Sequence, residues 1–284
     1  MTEHTTHLMG EVEVIALATD GSVFSDGAVQ EAIFFGQACG ASIVVLNVIA
    51  IDMEAATLAH ATAASHRGDT KEYIDNIKKM AADNDVECKV IIEESYQPDK
   101  TIVELAYQNN ADLLIMGRHG KKGLLKLLVG SMTSKVVGHG FPQVLVVPKD
   151  FAITGKRILV ATDGSKFSDM AIEEAISMSV NCSTLEEVYI LSVASTDKDL
   201  EKSKQIVESA CGKAKEQDSE TRFFPMTAVG RPAELIVRKA LENNIDMILM
   251  GGFGKGYGRL LMGHVTEKVV GQSQCAVLVI AKTK

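Results

Sequence analysis

Residues 17–33 read LATDGSVFSDGAVQEAI, and residues 160–176 read VATDGSKFSDMAIEEAI. Twelve of these seventeen aligned positions are identical, so the second stretch is a copy of the first. In each stretch an apolar run ends in a Thr-Asp-Gly-Ser turn, and an amphipathic helical pattern follows the turn. This strand–turn–helix unit, written twice, indicates a duplicated α/β protein.

The duplication extends over nearly the whole chain of 284 residues. GSMTSKVVGHGFPQVLVVPK (130–149) returns as GHVTEKVVGQSQCAVLVIAK (263–282), and the order of the repeated stretches is preserved. Because one copy has roughly the usual size of a domain, we expect two tandem domains, at residues 1–150 and 151–284.

Each copy alternates short, continuous apolar runs with helical patterns. The strands predicted in the first copy are residues 12–18, 41–49, 86–94, 112–117 and 143–148. The clearest helices predicted between them cover roughly residues 54–84 and 98–109. This alternation is typical of a parallel sheet with helices on both faces. We therefore expect an α/β fold made of two tandem five-stranded parallel-sheet domains.

Two polar loops follow the first and fourth predicted strands of the first copy. Ligands of such sheets bind at the carboxyl ends of the strands, where the winding direction reverses. Thr19-Asp20-Gly21-Ser22 follows the first strand, and a glycine-rich loop begins at Gly117 after the fourth. If these strands are neighbours, both loops face one crevice, where we expect a small ligand.

The glycine-rich loop, MGRHGKKGLLKLLVGS (116–131), has the composition of a phosphate site. Its glycines let the backbone approach a ligand, and unpaired amides around Gly130, at the start of the next helix, suit an anion. Hydroxyl and cationic side chains would complete the cradle: Arg118, His119, Lys121, Lys122, Ser131 and Thr133. The spacing is neither that of a P-loop nor that of a dinucleotide-binding motif. A glycine-rich turn with a good helix cap is the alternative.

An adenine ring and a ribose would find partners beside this cradle. Met116 and Val48 would supply an apolar floor for the ring. Asp20 could accept hydrogen bonds from the ribose, or hold a Mg²⁺ ion near the phosphates.

Both halves resemble the universal stress protein family, whose nucleotide-binding members carry the pattern G-x2-G-x9-G-[ST]. The first half fits this pattern with Gly117, Gly120, Gly130 and Ser131. The resemblance implies a Rossmann-like fold of the adenine nucleotide alpha hydrolase type and a ligand that is ATP, ADP or AMP. The positions expected to bind it in the first half are Thr19, Asp20, Val48, Met116, Gly117, His119, Gly120, Gly130, Ser131, Met132 and Thr133.

The second half departs from the family pattern. Eight residues instead of nine separate Gly254 from Gly263, and His264 replaces the small hydroxyl residue. The bulkier imidazole leaves two alternatives open, a closed site or a site for AMP or ADP. The corresponding positions are Thr162, Asp163, Val193, Met250, Gly251, Gly254, Gly263, His264 and Thr266.

The resemblance also implies that the two domains pair about a pseudo-twofold axis, often through their last strands. These strands are the apolar segments VLVVP (144–148) and VLVIA (277–281), whose edges would otherwise be uncovered. One chain would then form its own domain pair, and further pairing into a homodimer stays open.

Composition excludes several classes of function. The net charge of −8 disfavours a nucleic-acid surface, and no apolar run approaches the roughly 20 residues of a membrane span. The polar N-terminal residues do not have the pattern of a signal peptide, and the five cysteines form no CxxC pair. We therefore expect a cytoplasmic protein that binds neither nucleic acid nor a membrane.

No catalytic set is evident, because neither an HExxH nor a GxSxG motif is present. The leading hypothesis is a stress-response protein that acts as a nucleotide-dependent switch toward a protein partner that the sequence does not identify. Two alternatives remain, a nucleotide-independent interaction module and a slow ATPase.

Overall fold

A computed structural model describes residues 12–51, 62–119, 129–217, 219–253 and 262–281, with only the backbone described for residues 62–69. The first half contains β1 (Val14–Ala18), α1 (Asp26–Cys39), β2 (Ser42–Ala50), α2 (Thr62–Asp83), β3 (Cys88–Ser95), α3 (Pro98–Gln108), β4 (Leu113–Gly117), α4 (Ser131–Gly138) and β5 (Gln143–Val147). The second half contains β6 (Arg157–Thr162), α5 (Lys166–Asn181), β7 (Glu187–Ala194), α6 (Leu200–Lys215), β8 (Arg222–Val229), α7 (Pro232–Glu242), β9 (Met247–Gly251), α8 (His264–Gln272) and β10 (Ala276–Ile280).

The predicted elements are present, with shifts of a few residues at their ends. The helix predicted over residues 54–84 is α2, which begins at Thr62 in the described part of the chain, because residues 52–61 lie outside it. The helix predicted from Pro98 ends at Gln108, one residue earlier than expected.

All ten strands belong to one sheet, in the order β3-β2-β1-β4-β5-β10-β9-β6-β7-β8. The strands of each half pair in parallel, whereas β5 and β10 pair antiparallel. Leu145 lies opposite Leu278, and these two residues hold equivalent positions in the repeated stretches. The two halves are therefore related by a pseudo-twofold axis through this strand pair, as the family resemblance implies.

Helices cover both faces of the sheet, and alternate residues of each strand point to opposite faces. Ile15 and Leu17 of β1 pack against the layer that contains α1, α2, α5 and α6. Ala16 and Ala18 face the layer that contains α3, α4, α7 and α8. This two-faced burial explains why the strands read as continuous apolar runs.

The repeated Asn-Asn-x-Asp sequence ends a helix and then binds the start of the first strand of the same half. Asn110 adopts a left-handed conformation (φ 53°) after α3, which asparagine tolerates better than most residues. The Asp112 carboxylate, two residues later, accepts the N–H of Val14 at 3.1 Å and so fixes the start of β1 beside β4. Asn244 (φ 50°) and Asp246 repeat the arrangement in the second half.

A buried carboxylate ties the segment between the halves to α1. Glu31 is 3% exposed, and its Oε1 accepts the N–H of Ile153 at 2.8 Å. Burial raises the pKa of Glu31 from 4.5 to about 7, although the N–H of Ile153 opposes the shift, and the nearby Asp246 adds a smaller increase. The folded state therefore favours the protonated carboxyl group.

This raised pKa predicts a stability that falls with pH. The stabilisation by the proton is complete below the ordinary pKa of 4.5 and is lost as the pH rises through about 7. The expected total loss from Glu31 is about 3 kcal/mol. Glu31→Gln keeps an acceptor for Ile153 but cannot ionise, so its free energy of unfolding should fall less between about pH 5 and about pH 8.

Urea denaturation at several pH values measures this slope. The exposed Glu173→Gln is the control for removing one negative charge, and it should keep the slope of the wild type. An unchanged slope in Glu31→Gln would show that this carboxyl group does not titrate in that range.

Candidate functional site

The two loops predicted to meet do lie at one edge of the sheet. β1 and β4 are parallel neighbours, with Ala18 opposite Met116, so Thr19 and Gly117 extend from adjacent strand ends. The strand order reverses its direction between β1 and β4, which is where ligands of parallel sheets bind. β6 and β9 form the same crevice in the second half, with Ala161 opposite Met250.

The turn after β1 is held by its own side chains. The hydroxyl oxygen of Thr19 accepts the N–H of Gly21 at 3.1 Å, and Oδ1 of Asp20 accepts the N–H of Ser22 at 3.1 Å and its hydroxyl at 2.6 Å. The side-chain amide of the buried Asn47 donates to the carbonyl of Thr19 at 2.8 Å. Oδ1 of Asp20 therefore holds the turn, and the expected contact of this carboxylate with a ribose or Mg²⁺ stays a prediction.

The second half builds the same turn. The hydroxyl oxygen of Thr162 accepts the N–H of Gly164 at 3.1 Å, and Oδ1 of Asp163 accepts the N–H of Ser165 at 2.9 Å. Gly21 and Gly164 both have a positive φ, 72° and 70°, which this turn requires.

The glycines at the two ends of the glycine-rich loop are required because a Cβ atom would be too close to neighbouring atoms. Neither has a left-handed backbone. A Cβ atom on Gly117 would lie 2.9 Å from the carbonyl oxygen of Phe24, and one on Gly130 would lie 3.0 Å from that of Arg118. Gly130 itself is extended, with φ −60° and ψ 142°. The loop after β1 and the start of α4 therefore pack directly on the end of β4.

The expectation that the amide of Gly130 is unpaired is wrong. Its N–H donates to the carbonyl of Arg118 at 2.9 Å, and the N–H of Gly263 donates to the carbonyl of Gly252 at 2.9 Å in the second half. In each half this hydrogen bond holds the start of the helix against the end of the preceding strand. The unpaired amides start one residue later than expected.

The first turn of α4 supplies these amides. The N–H of Ser134 is the first that bonds within the helix, to the carbonyl of Gly130 at 2.9 Å. The amides of Ser131, Met132 and Thr133 have no acceptor in the part of the chain that the structure describes. Together with the partial positive charge of the helix start, they form a set of donors for an anion.

The hydroxyl of Thr133 does not serve as the phosphate donor that the sequence suggested. Thr133 is 2% exposed and donates to the carbonyl of Gly117 at 3.0 Å. Thr266 donates to the carbonyl of Gly251 at 2.9 Å in the same way. Both threonines fasten a helix start to a strand end, whereas Ser131 is exposed.

Met116 and Val48, the residues predicted to floor an adenine ring, lie on the same face of the sheet. Met116 is 4% exposed, and the half-buried Val48 packs in the same layer, which also contains α3 and α4. Met250 and Val193 repeat the arrangement, with Met250 5% exposed.

Two of the predicted glycines, Gly120 and Gly254, lie outside the described residues, as do Lys121 and Lys122. His119 and Met132 are half-buried beside the described ends of the first loop.

The second crevice differs at its helix start. His264 is exposed at the first position of α8 and lines a groove of about 310 Å³ together with Arg231 and Lys268 of neighbouring turns. Phe167, the equivalent of Phe24, packs on Gly251 as Phe24 packs on Gly117, and a Cβ atom on Gly251 would lie 2.7 Å from its side chain. The second crevice therefore keeps the backbone arrangement of the first, but a different side chain stands at its helix start.

The sequence suggested that Arg118 contributes its charge to the cradle, but its guanidinium group is directed elsewhere. Its Nη1 donates to the carbonyl of Ser273, in the second half of the chain, and burial lowers the pKa of its guanidinium. Sequence reasoning missed this contact and the role of Asn47. The available signal was that Gly252 and Phe253 replace Arg118 and His119 after the repeated Met-Gly pair.

The described residues contain no cluster of three or more histidine, cysteine, aspartate or glutamate residues that could hold a metal ion. Among them, too, no helix combines the length and apolarity that a membrane span requires.

These features define a duplicated α/β protein with a glycine-bounded crevice at the switch point of each parallel half. A profile of the universal stress protein family matches residues 11–148 and again residues 155–281. The chain belongs to the universal stress protein family.

The chain is similar to several individual proteins. Universal stress protein MJ0531 of Methanocaldococcus jannaschii is 30% identical over 139 residues, which cover 48% of this chain and 81% of that protein. A universal stress protein from Archaeoglobus fulgidus has the same fold over 95% of this chain and 98% of its own, with a TM-score of 0.73 and 23% identity. A universal stress protein solved in complex with cAMP matches 46% of this chain and 100% of its own, with 25% identity and a TM-score of 0.38.

The close packing at the strand end predicts that Gly117→Ala destabilises the protein. The new methyl group would meet a backbone carbonyl that cannot move without shifting the loop after β1. The expected loss in the free energy of unfolding is about 1–3 kcal/mol.

Chemical denaturation measures the loss, and Gly212→Ala is the matched control. Gly212 lies within α6, and no atom beyond its own stretch of helix lies within 4 Å of the point that a Cβ atom would occupy, so this change should stabilise the protein by about 0.5–1 kcal/mol. Equal stability of Gly117→Ala and the wild type would contradict the packing.

Proposed function

We propose that the first half binds ATP, or the related ADP or AMP, in the crevice at the ends of β1 and β4. The protein then acts as a nucleotide-dependent switch of the stress response in the cytoplasm. The observation that carries the proposal is the set of amides at Ser131, Met132 and Thr133, which point away from the helix at the switch point of the sheet.

The magnitudes favour a phosphate at these amides. Hydrogen bonds to a charged group contribute about 1.5–3 kcal/mol each, and micromolar affinity requires about 8 kcal/mol. Two or three amide contacts therefore supply a large part of the affinity, and an adenine ring on Met116 and Val48 adds the burial of apolar surface. The triphosphate also suits the fractional positive charge at the start of α4.

The second half is proposed to bind nucleotide more weakly and to prefer AMP or ADP to ATP. It retains Met250, the half-buried Val193 and the turn at Asp163. Its loop is one residue shorter, and the imidazole of His264 occupies the first position of the helix. A longer phosphate chain would have to pass this side chain.

One observation favours the alternative, a nucleotide-independent interaction module. Oδ1 of Asp20, the amide of Gly130 and the hydroxyl of Thr133 are all bonded within the protein, so the frame of the crevice closes without a ligand. Mass spectrometry of the purified and then denatured protein discriminates between the two, because a bound nucleotide released on denaturation supports the switch.

The proposal predicts that Ser131→Pro weakens ATP binding at least about tenfold, which corresponds to about 1.4 kcal/mol. Proline is well accepted at the first position of a helix, and the extended backbone of Gly130 suits the residue before a proline. The variant therefore removes one amide donor with little disturbance of α4. Isothermal titration calorimetry measures the affinity.

Two further variants make the comparison specific. Ser131→Ala removes only the hydroxyl and should lose less affinity than Ser131→Pro. His264→Pro makes the equivalent change at the start of α8, where Gly263 has nearly the same backbone angles, and should leave the first site within about twofold of the wild type. If Ser131→Pro folds and binds ATP as tightly as the wild type, the amides of α4 do not hold the phosphates.

A further inference from the structure

Arg118 is part of the frame that holds the start of α4. Its N–H donates to the carbonyl of Val147 at 3.1 Å, and its carbonyl accepts the N–H of Gly130 at 2.9 Å. The hydroxyl of Thr133 lies 3.5 Å from the same carbonyl. The backbone of this residue therefore moves with the amides that are proposed to hold the phosphates.

The side chain of Arg118 extends from the first half and contacts the second half. It donates to the carbonyl of Ser273, which caps the C-terminal end of α8 and is 1% exposed. The hydroxyl of Ser273 donates to the carbonyl of Cys275 at 2.8 Å and accepts its N–H at 3.2 Å, so the turn is internally bonded. We call residues 272–276 the α8 turn. A charged donor thus connects the first crevice to the α8 turn.

The reverse connection has a different chemistry. Gly252 takes the place of Arg118 in the second half, and the residue after it, Phe253, lies about 3.8 Å from the Cβ position of Gly140 in the turn after α4. Ser273 is the equivalent of Gly140, so each loop reaches the turn that follows the other half's last helix. The first loop does so with a hydrogen bond, and the second does so with an apolar ring.

The buried guanidinium group of Arg118 depends on its contact with Ser273. Its Nε is buried and has no partner among the described residues, so the guanidinium group depends on the carbonyl of Ser273 for its bonding on this side. A neutral carbonyl is a poorer partner for a buried cation than a carboxylate, and losing it would leave donors unsatisfied. A shift of the first loop must therefore displace the α8 turn or break this bond.

We propose that Arg118 is a positioning residue that couples nucleotide binding in the first half to the α8 turn of the second half. This inference rests on the proposed function, because it requires a ligand at the amides of α4. By linkage, the intact contact also favours nucleotide binding to the same extent as the nucleotide favours the contact.

Hydrogen exchange of the full chain, with and without ATP, tests the coupling. The amides of Ser273 and Cys275 are hydrogen-bonded, so their exchange reports opening of the α8 turn. In the wild type, saturating ATP should slow exchange there at least about threefold. In Arg118→Met, which keeps the backbone contacts and the aliphatic stem, ATP should still bind but should no longer slow exchange in the turn.

Two variants separate coupling from a merely structural role. Arg118→Lys keeps one charged donor and should restore part of the effect. Phe253→Leu alters the contact of the second loop with the turn after α4, and it should keep the full effect of ATP on the α8 turn. In Arg118→Met the affinity for ATP should also fall about threefold to tenfold, as reciprocity requires.

The outcomes are distinguishable. A wild type that binds no nucleotide in calorimetry overturns the proposed function and the coupling with it. A wild type that binds ATP with no change in the α8 turn overturns the coupling alone. The same holds if Arg118→Met retains the full protection by ATP.

Discussion

The hydrogen bond from the amide of Gly130 to the carbonyl of Arg118 determines where α4 begins. It brings the helix start onto the end of β4, beside the turn after β1, and it leaves the next three amides without partners in the helix. Only a residue without a Cβ atom fits so near the Arg118 carbonyl without displacing it. The second half repeats the bond between Gly263 and Gly252, although its loop is one residue shorter. The packing of the helix start on the strand end thus requires this hydrogen bond, whether or not the glycine motif is intact.

Most of the fold was predictable from the sequence because the physical signals were local and were written twice. Continuous apolar runs predicted the strands, and the helix predicted from Pro98 begins at that residue. The pairing of β5 with β10 followed from the family resemblance, and the register places Leu145 opposite Leu278. The contact of Glu31 with Ile153 was not predictable, since nothing in the local pattern indicates which polar residue of a helix a distant segment will bury.

The candidate site was predictable in position but not in bonding. The neighbours β1 and β4 brought Thr19 and Gly117 together as expected. Sequence spacing could not reveal that the hydroxyl of Thr133 is directed to a backbone carbonyl, or that Arg118 leaves its own half. A hydroxyl or guanidinium group has several partners within reach, and only the packed structure selects one. The amides of α4 were found because helix geometry alone leaves them unpaired.

Amide resonances of the ¹⁵N-labelled full chain, followed during a titration with ATP, test the central claim most directly. If these amides hold the phosphates, saturable shifts should be largest at Ser131, Met132 and Thr133. Gly130 should shift less, because its amide stays bonded to Arg118. Saturable binding of ATP with no shift at these three residues would contradict the account and place the nucleotide elsewhere on the protein.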